Sequence, residues 1–190
     1  DRLNVDHYRF GDPNYISTST SELVIINTET KEKLYPFKKN VQVRYLAWSP
    51  DNKTLAFFLL KGNQYYLQTY DVSKKKLKEI KPKIDKPIAS NSILQWTPDG
   101  RSILLSLREK GWADSSKAMF IEATKGPITI YDSKKPLLKW EEIRNMSSLY
   151  IVANVDIKSR KVKALLPEGR YMNLRQSKVS PYLTYIQYNP

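Results

Sequence analysis

Apolar residues in this chain fall in short runs rather than at helical spacing. Leu55-Ala56-Phe57-Phe58-Leu59-Leu60 is continuous and is bounded by Asp51-Asn52 before it and Lys61-Gly62-Asn63 after it. A short apolar run between turn residues predicts a strand buried on both faces. Just upstream, Val41, Val43, Tyr45 and Ala47 alternate with Gln42, Arg44 and Leu46, the period of a half-buried strand. The same logic predicts strands over 53–60, 64–70 and 76–80, with a restart over 93–107. Lys61-Gly62-Asn63 reads as a hairpin loop with Gly62 at positive φ.

The pattern then repeats. Trp48-Ser49-Pro50-Asp51-Asn52-Lys53-Thr54 returns as Trp96-Thr97-Pro98-Asp99-Gly100-Arg101-Ser102, 48 residues further on. Pro presets φ for a turn, and Asp-Asn or Asp-Gly tolerates positive φ. A second hairpin type alternates with the first. It centres on Asp71 and Asp156, with Asn27 in a third version; the apolar residue six places on is Leu77 or Val162, and in the third version Leu34 stands one place later. An eroded turn closes the series at Val179-Ser180-Pro181, before Tyr185-Ile186-Gln187-Tyr188.

Two alternating hairpins at this period suit four-stranded propeller blades. The expected fold is all-β: a partial β-propeller of about three to four blades. Residues 1–40 would be a first, incomplete blade, 41–80 the second, 93–165 the third, and 166–190 the start of a further one. The third blade carries an insertion over about 108–146, because Trp48 to Asp71 is a short interval and Trp96 to Asp156 a long one. Long insertions are interaction surfaces or loops packed over their blade, and both readings stand here. Within it, Trp112, Trp140 and Arg144 are the candidate contacts to a partner or substrate. Trp48, Tyr66, Tyr70 and Trp96 are expected in the core.

Composition narrows the chemistry. The chain has no cysteine, which removes disulfides and thiol chemistry. No run is long and apolar enough for a membrane-spanning helix. The net charge of +13 comes from lysines at hairpin tips and linkers, such as Lys74-Lys75-Lys76 and Lys158 to Lys163. Lysine there keeps strand edges apart, and no nucleic-acid module accompanies it. There is no Gly-x-Ser-x-Gly nucleophile elbow, and the one histidine, His7, stands beside Asp6 in an irregular stretch. Asp1, Asp6, His7 and Asp12 match no metal-ligand spacing. No catalytic, cofactor or metal residue is therefore assigned. The start at Asp1-Arg2-Leu3, without Met, reads as a mature or trimmed product.

The turn copies Trp48–Phe57 and Trp96–Leu105 resemble the propeller repeats of prolyl-oligopeptidase-type serine peptidases and of the periplasmic TolB protein. The order of Leu94-Gln95-Trp96-Thr97-Pro98-Asp99, Gly126-Pro127-Ile128, Leu149–Asp156 and Gly169-Arg170-Tyr171 is similar to the N-terminal propeller of the glutamyl-endopeptidase-like branch. The resemblance spans roughly residues 40–190. It implies a secreted or periplasmic protein in which a propeller gates and orients peptides for an α/β-hydrolase domain beyond Pro190. A TolB-like propeller that binds a protein partner, with no enzyme attached, is the alternative it implies. The repeat residues that carry it are Trp48, Pro50, Asp51, Asp71, Trp96, Pro98, Asp99, Gly100 and Asp156.

Overall fold

The computed structural model describes residues 20–125 and 139–188, apart from the side chains of residues 139 and 140. Hairpin β1 (Ile25–Ile26) and β2 (Lys33–Leu34) comes first. Strands β3 (Val43–Trp48), β4 (Thr54–Lys61), β5 (Gln64–Asp71) and β6 (Lys76–Ile80) then pair in sequence order as an antiparallel sheet. A second such sheet contains β7 (Leu94–Trp96), β8 (Ser102–Leu107), β9 (Tyr150–Asp156) and β10 (Val162–Gly169). Strands β11 (Tyr171–Gln176) and β12 (Leu183–Gln187) form a final antiparallel pair.

The sheets lie face to face, with three apolar layers between them. Leu55, Phe57, Leu59 and Tyr70 meet Leu23, Ile25 and Leu34 of the first hairpin. Ala56, Phe58, Leu67 and Ile80 meet Ile103, Leu105 and Leu107 of the second sheet. Leu104 and Val152 turn the other way, onto Tyr171, Leu174 and Leu183. Successive strand residues point to opposite faces, so a strand sandwiched between neighbours must be apolar at every position. That is why 55–60 reads as a continuous apolar run. Burying Phe57 or Phe58, each fully enclosed, is worth about 2–3 kcal/mol over leaving it in water.

Inner strands also hold neighbouring sheets together by hydrogen bonds. Trp96 Nε1 donates to the Ala47 carbonyl of the preceding sheet at 3.0 Å. Gln95 bridges forward: its Nε2 donates to Leu174 O at 2.8 Å and its Oε1 accepts from Gln176 N at 2.7 Å.

Three sequence expectations need correction. The alternation in β3 breaks at a bulge between Arg44 and Ala47, where Tyr45 takes φ 55° and turns outward. The same bulge recurs in β11, with Asn173 at φ 52°. Trp48, expected in the core, is 46% exposed. Its counterpart Trp96 packs against the preceding four-stranded sheet, whereas the described residues before β3 offer only the β1–β2 hairpin. Third, the closing turn is registered on Ser177: its N–H donates to Tyr182 O, as Ser49 N does to Thr54 O and Thr97 N to Ser102 O. The Ser180-Pro181 pair that suggested the turn stands at its far end.

The region of the expected insertion is helical where it is described. Helices α1 (Trp112–Thr124) and α2 (Lys139–Ser148) lie between β8 and β9 and touch one another. Gly126-Pro127-Ile128 falls outside the described residues, as do Asp1, Asp6, His7 and Asp12.

Candidate functional site

The turns are built alike. Ser49 Oγ donates to Asp51 Oδ1 at 2.6 Å and accepts from Thr54 N at 3.0 Å, while Lys53 N donates to Asp51 Oδ1 at 3.1 Å. Thr97, Asp99, Arg101 and Ser102 repeat these bonds at 2.6, 3.0 and 3.0 Å. Asn52 (φ 57°) and Gly100 (φ 66°) occupy the left-handed position, which Asn and Gly accept at low cost. The outer hairpins share another frame. Asp71 Oδ1 accepts from Lys74 N at 2.9 Å, Asp156 Oδ1 from Ser159 N at 2.6 Å, and Asn27 Oδ1 from Thr30 N at 3.1 Å. Lys31, Lys75 and Arg160 follow at positive φ.

These bonds fix the charge state of the turns. Donation from the Lys74 N–H, then from the Ser73 hydroxyl, lowers the Asp71 carboxyl to about 2. The Ser49 hydroxyl lowers Asp51, the Thr97 hydroxyl lowers Asp99, and the Ser159 N–H lowers Asp156. Each turn thus contains an ionised carboxylate bonded to its own backbone, with lysine or arginine just beyond it.

The four carboxylate turns lie at the same end of the two four-stranded sheets, and a cleft of about 720 Å³ opens between the sheets there. Asp51, Asp71 and Asp99 line it, with Lys74 of the turn and Lys76 and Lys78 on β6, and with Pro50, Trp96, Pro98 and Ile157 as its apolar surface. Lys74 pairs with Asp71 at 3.3 Å. Among the described residues, Lys76 and Lys78 have no carboxylate partner. A smaller cleft of about 330 Å³ opens at the equivalent place between the second sheet and β11–β12, lined by Asp99 but by no lysine.

The inserted helices sit at the opposite end of their sheet. Arg108, immediately after β8, is 3% exposed, and its guanidinium donates to Ser147 O and Leu149 O and to Asn91 Oδ1. It thereby occupies the carbonyl-rich C-terminal end of α2, where a cation suits both the free carbonyls and the helix dipole. Burial lowers the Arg108 pKa to about 10, so it stays protonated at neutral pH. Arg170 Nε adds a bond to Ser148 Oγ at 2.8 Å. Gly169, just before it, has no room for a side chain: a Cβ there would lie 2.8 Å from the Tyr171 hydroxyl.

The residues expected to meet a partner are separated by this geometry. Trp112 lies half-buried beneath Arg108, with the guanidinium 4.3 Å from its ring centre, and its Nε1 donates to Met146 O at 3.3 Å. Arg144 is exposed on α2. Trp140 is on the same helix, but its side chain is outside the described residues. Sequence reasoning missed Arg108, Asn91 and the Lys76–Lys78 pair. An internal alignment would have flagged Arg108, since the equivalent residue of the first sheet is Leu60.

No protein-family profile matches the sequence, and no curated protein does. Solved structures do match. A TolB structure from Agrobacterium tumefaciens aligns at TM-score 0.54 and 10% identity, over 92% of this chain and 48% of the other. The β-propeller domain of the Trilobed protease from Pyrococcus furiosus aligns at 0.48 and 13% identity, over 90% of this chain and 46% of the other. The acylaminoacyl peptidase of Pyrococcus horikoshii aligns at 0.46 and 13%, over 80% and 22%. The likeness shows the fold: antiparallel sheets arranged as in a β-propeller. The chain spans about half the length of the TolB structure it matches.

Proposed function

We propose that this chain is the non-catalytic propeller portion of a serine peptidase, gating and orienting peptides for an α/β-hydrolase domain beyond Pro190. The observation that carries the reading is the second sheet. Its inner strand, Thr97–Ser102 turn, helical insertion, Tyr150–Asp156 strand and Gly169-Arg170-Tyr171 corner follow the order on which the family resemblance rests. In this reading residues 1–40 begin a first blade, 41–80 and 93–165 form two more, and 166–190 start another. The chemistry agrees: the sequence has one histidine and no nucleophile elbow, so bond cleavage would belong to another domain. The protein would work in the periplasm or outside the cell. Its ligands would be peptide substrates, with Trp140 and the exposed Arg144 on α2 as candidate contacts.

The test is the intact mass of the protein from its native source, followed by labelling with a serine-directed fluorophosphonate. A mass several times 22.2 kDa and one labelled serine beyond Pro190 are expected. A native mass equal to that of this chain, or a longer chain that takes no label, would overturn the reading in favour of a TolB-like binding propeller.

A further inference from the structure

The cleft at the turn end has a chemistry that substrate gating does not use. One wall is β6, where Lys76 and Lys78 project on the same face of the strand and Lys74 precedes them. The rest of the lining includes Asp51, in the β3–β4 turn of the same sheet, and Asp99, in the β7–β8 turn of the next. Each spends Oδ1 on its own turn, and among the described residues no bond is made by Oδ2. Trp96 and Ile157 line the cleft as well. Strand β6 is also the edge of its sheet, and among the described residues no strand pairs with its outer side.

We infer that this cleft binds an extended acidic polypeptide segment. Its side-chain carboxylates meet Lys76 and Lys78, its backbone N–H groups face the free oxygens of Asp51 and Asp99, and its apolar side chains rest on Trp96 and Ile157. The lysines and aspartates of the lining together choose the partner class. A phosphate polymer offers unbroken negative charge and would be repelled by the aspartates, whereas a polypeptide offers donors as well as carboxylates. The inference stands apart from the peptidase reading, since it concerns the opposite end of the sheets from α1 and α2.

The experiment titrates the full chain with a short fluorescent oligoglutamate peptide at about 0.05 M salt, where exposed charges are only partly screened. Heparin fragments and anionic vesicles are run alongside. The variants are Lys76→Glu with Lys78→Glu, and the milder Lys76→Gln with Lys78→Gln in case charge reversal disturbs the fold. Lys38→Glu with Lys39→Glu is the control, with the same change in net charge at exposed lysines outside the cleft. Saturable oligoglutamate binding that weakens about tenfold in the cleft variants and less than about twofold in the control is the expected result. Equal weakening in both, no binding of oligoglutamate, or tighter binding of heparin or vesicles that survives the cleft substitutions would overturn the inference.

Discussion

The sheets β3–β6 and β7–β10 match almost position for position at one end and diverge at the other. Thr54 pairs with Asp71, and Ser102 with Asp156, so the two frames can be laid over one another. On that frame Phe57 corresponds to Leu105, Phe58 to Ser106, Leu60 to Arg108 and Tyr65 to Tyr150. The turn ends are copies down to their hydrogen bonds. At the far end the first sheet closes with the tight Gly62-Asn63 turn, Gly62 at φ 59°. The second admits two helices, and there Phe and Leu have become Ser and Arg. A repeat can thus hold its fold with one end and vary the other: Arg108 brings its own carbonyl partners inside, while the small Ser106 hydroxyl is tolerated without one among the described residues.

The sharpest way to break this comparison is to truncate the paired positions 58 and 106. Phe58 is fully enclosed between the two sheets, so Phe58→Ala should cost about 3–5 kcal/mol. Ser106 is equally enclosed, but its hydroxyl has no partner among the described residues. Ser106→Ala should therefore change stability by less than about 0.5 kcal/mol, or raise it slightly. Urea midpoints of the two variants decide the matter. A large loss at Ser106 would mean that its hydroxyl holds the insertion in place. Next in size is Arg108→Ala, expected to cost about 3 kcal/mol because carbonyls buried at the end of α2 lose their donor. That loss should be local. Limited proteolysis should cut within 108–148 before it cuts β3–β6, and simultaneous cleavage of both sheets would contradict the assignment of Arg108 to the insertion.

Much of the turn end could be read from the chain because its signals are local. Pro50-Asp51-Asn52 and Pro98-Asp99-Gly100 specify turns through φ preferences and short-range hydrogen bonds, which need no knowledge of the neighbouring sheet. The continuous run 55–60 announced burial on both faces for the same reason. The insertion was located by spacing, yet its helices were not foreseen. Trp112-Ala113-Asp114-Ser115-Ser116 has little apolar periodicity, and what holds α1 and α2 is Arg108, remote in sequence from the Ser147 and Leu149 carbonyls it meets. Trp112 was read as a partner contact because an exposed aromatic in a loop invites that reading; its ring is instead covered by an arginine. The lateness of Leu34 in the first hairpin also resolves. Ile26 pairs with Lys33 as Tyr70 pairs with Leu77, so the register is the same and only the apolar face has moved by one.

A finer contrast lies in the tyrosines Tyr65 and Tyr150. Both are buried, and burial raises both hydroxyls above the usual phenol range. Tyr150 donates to the Tyr171 carbonyl of the following sheet, while the Tyr65 hydroxyl has no partner among the described residues. Tyr150→Phe should cost about 1 kcal/mol, the net value of one hydrogen bond, and Tyr65→Phe should cost nothing or stabilise slightly. Thermal melts of the two single variants test this, and equal losses would show that the two sheets differ less at this level than the geometry says.

The smallest effect at neutral pH concerns what the sheets share. Asp71 and Asp156 cap their hairpins with a carboxylate, and Asn27 caps the first hairpin with a neutral amide oxygen. The native Asp71 carboxyl, at about 2, lies below its ordinary value of 3.8, so its contribution is complete above pH 3.8 and is lost as pH falls toward 2. Asp71→Asn keeps the acceptor oxygen, as the natural Asn27 hairpin does, and removes the titration. The melting temperature of the variant should therefore match the parent within a few degrees near pH 7 and fall less steeply between pH 4 and pH 2. Identical acid slopes would place the acid sensitivity elsewhere, with Asp51, Asp99 and Asp156 as the next carboxylates to exchange. A large loss at pH 7 would mean instead that the charge itself, through its 3.3 Å contact with Lys74, holds the hairpin.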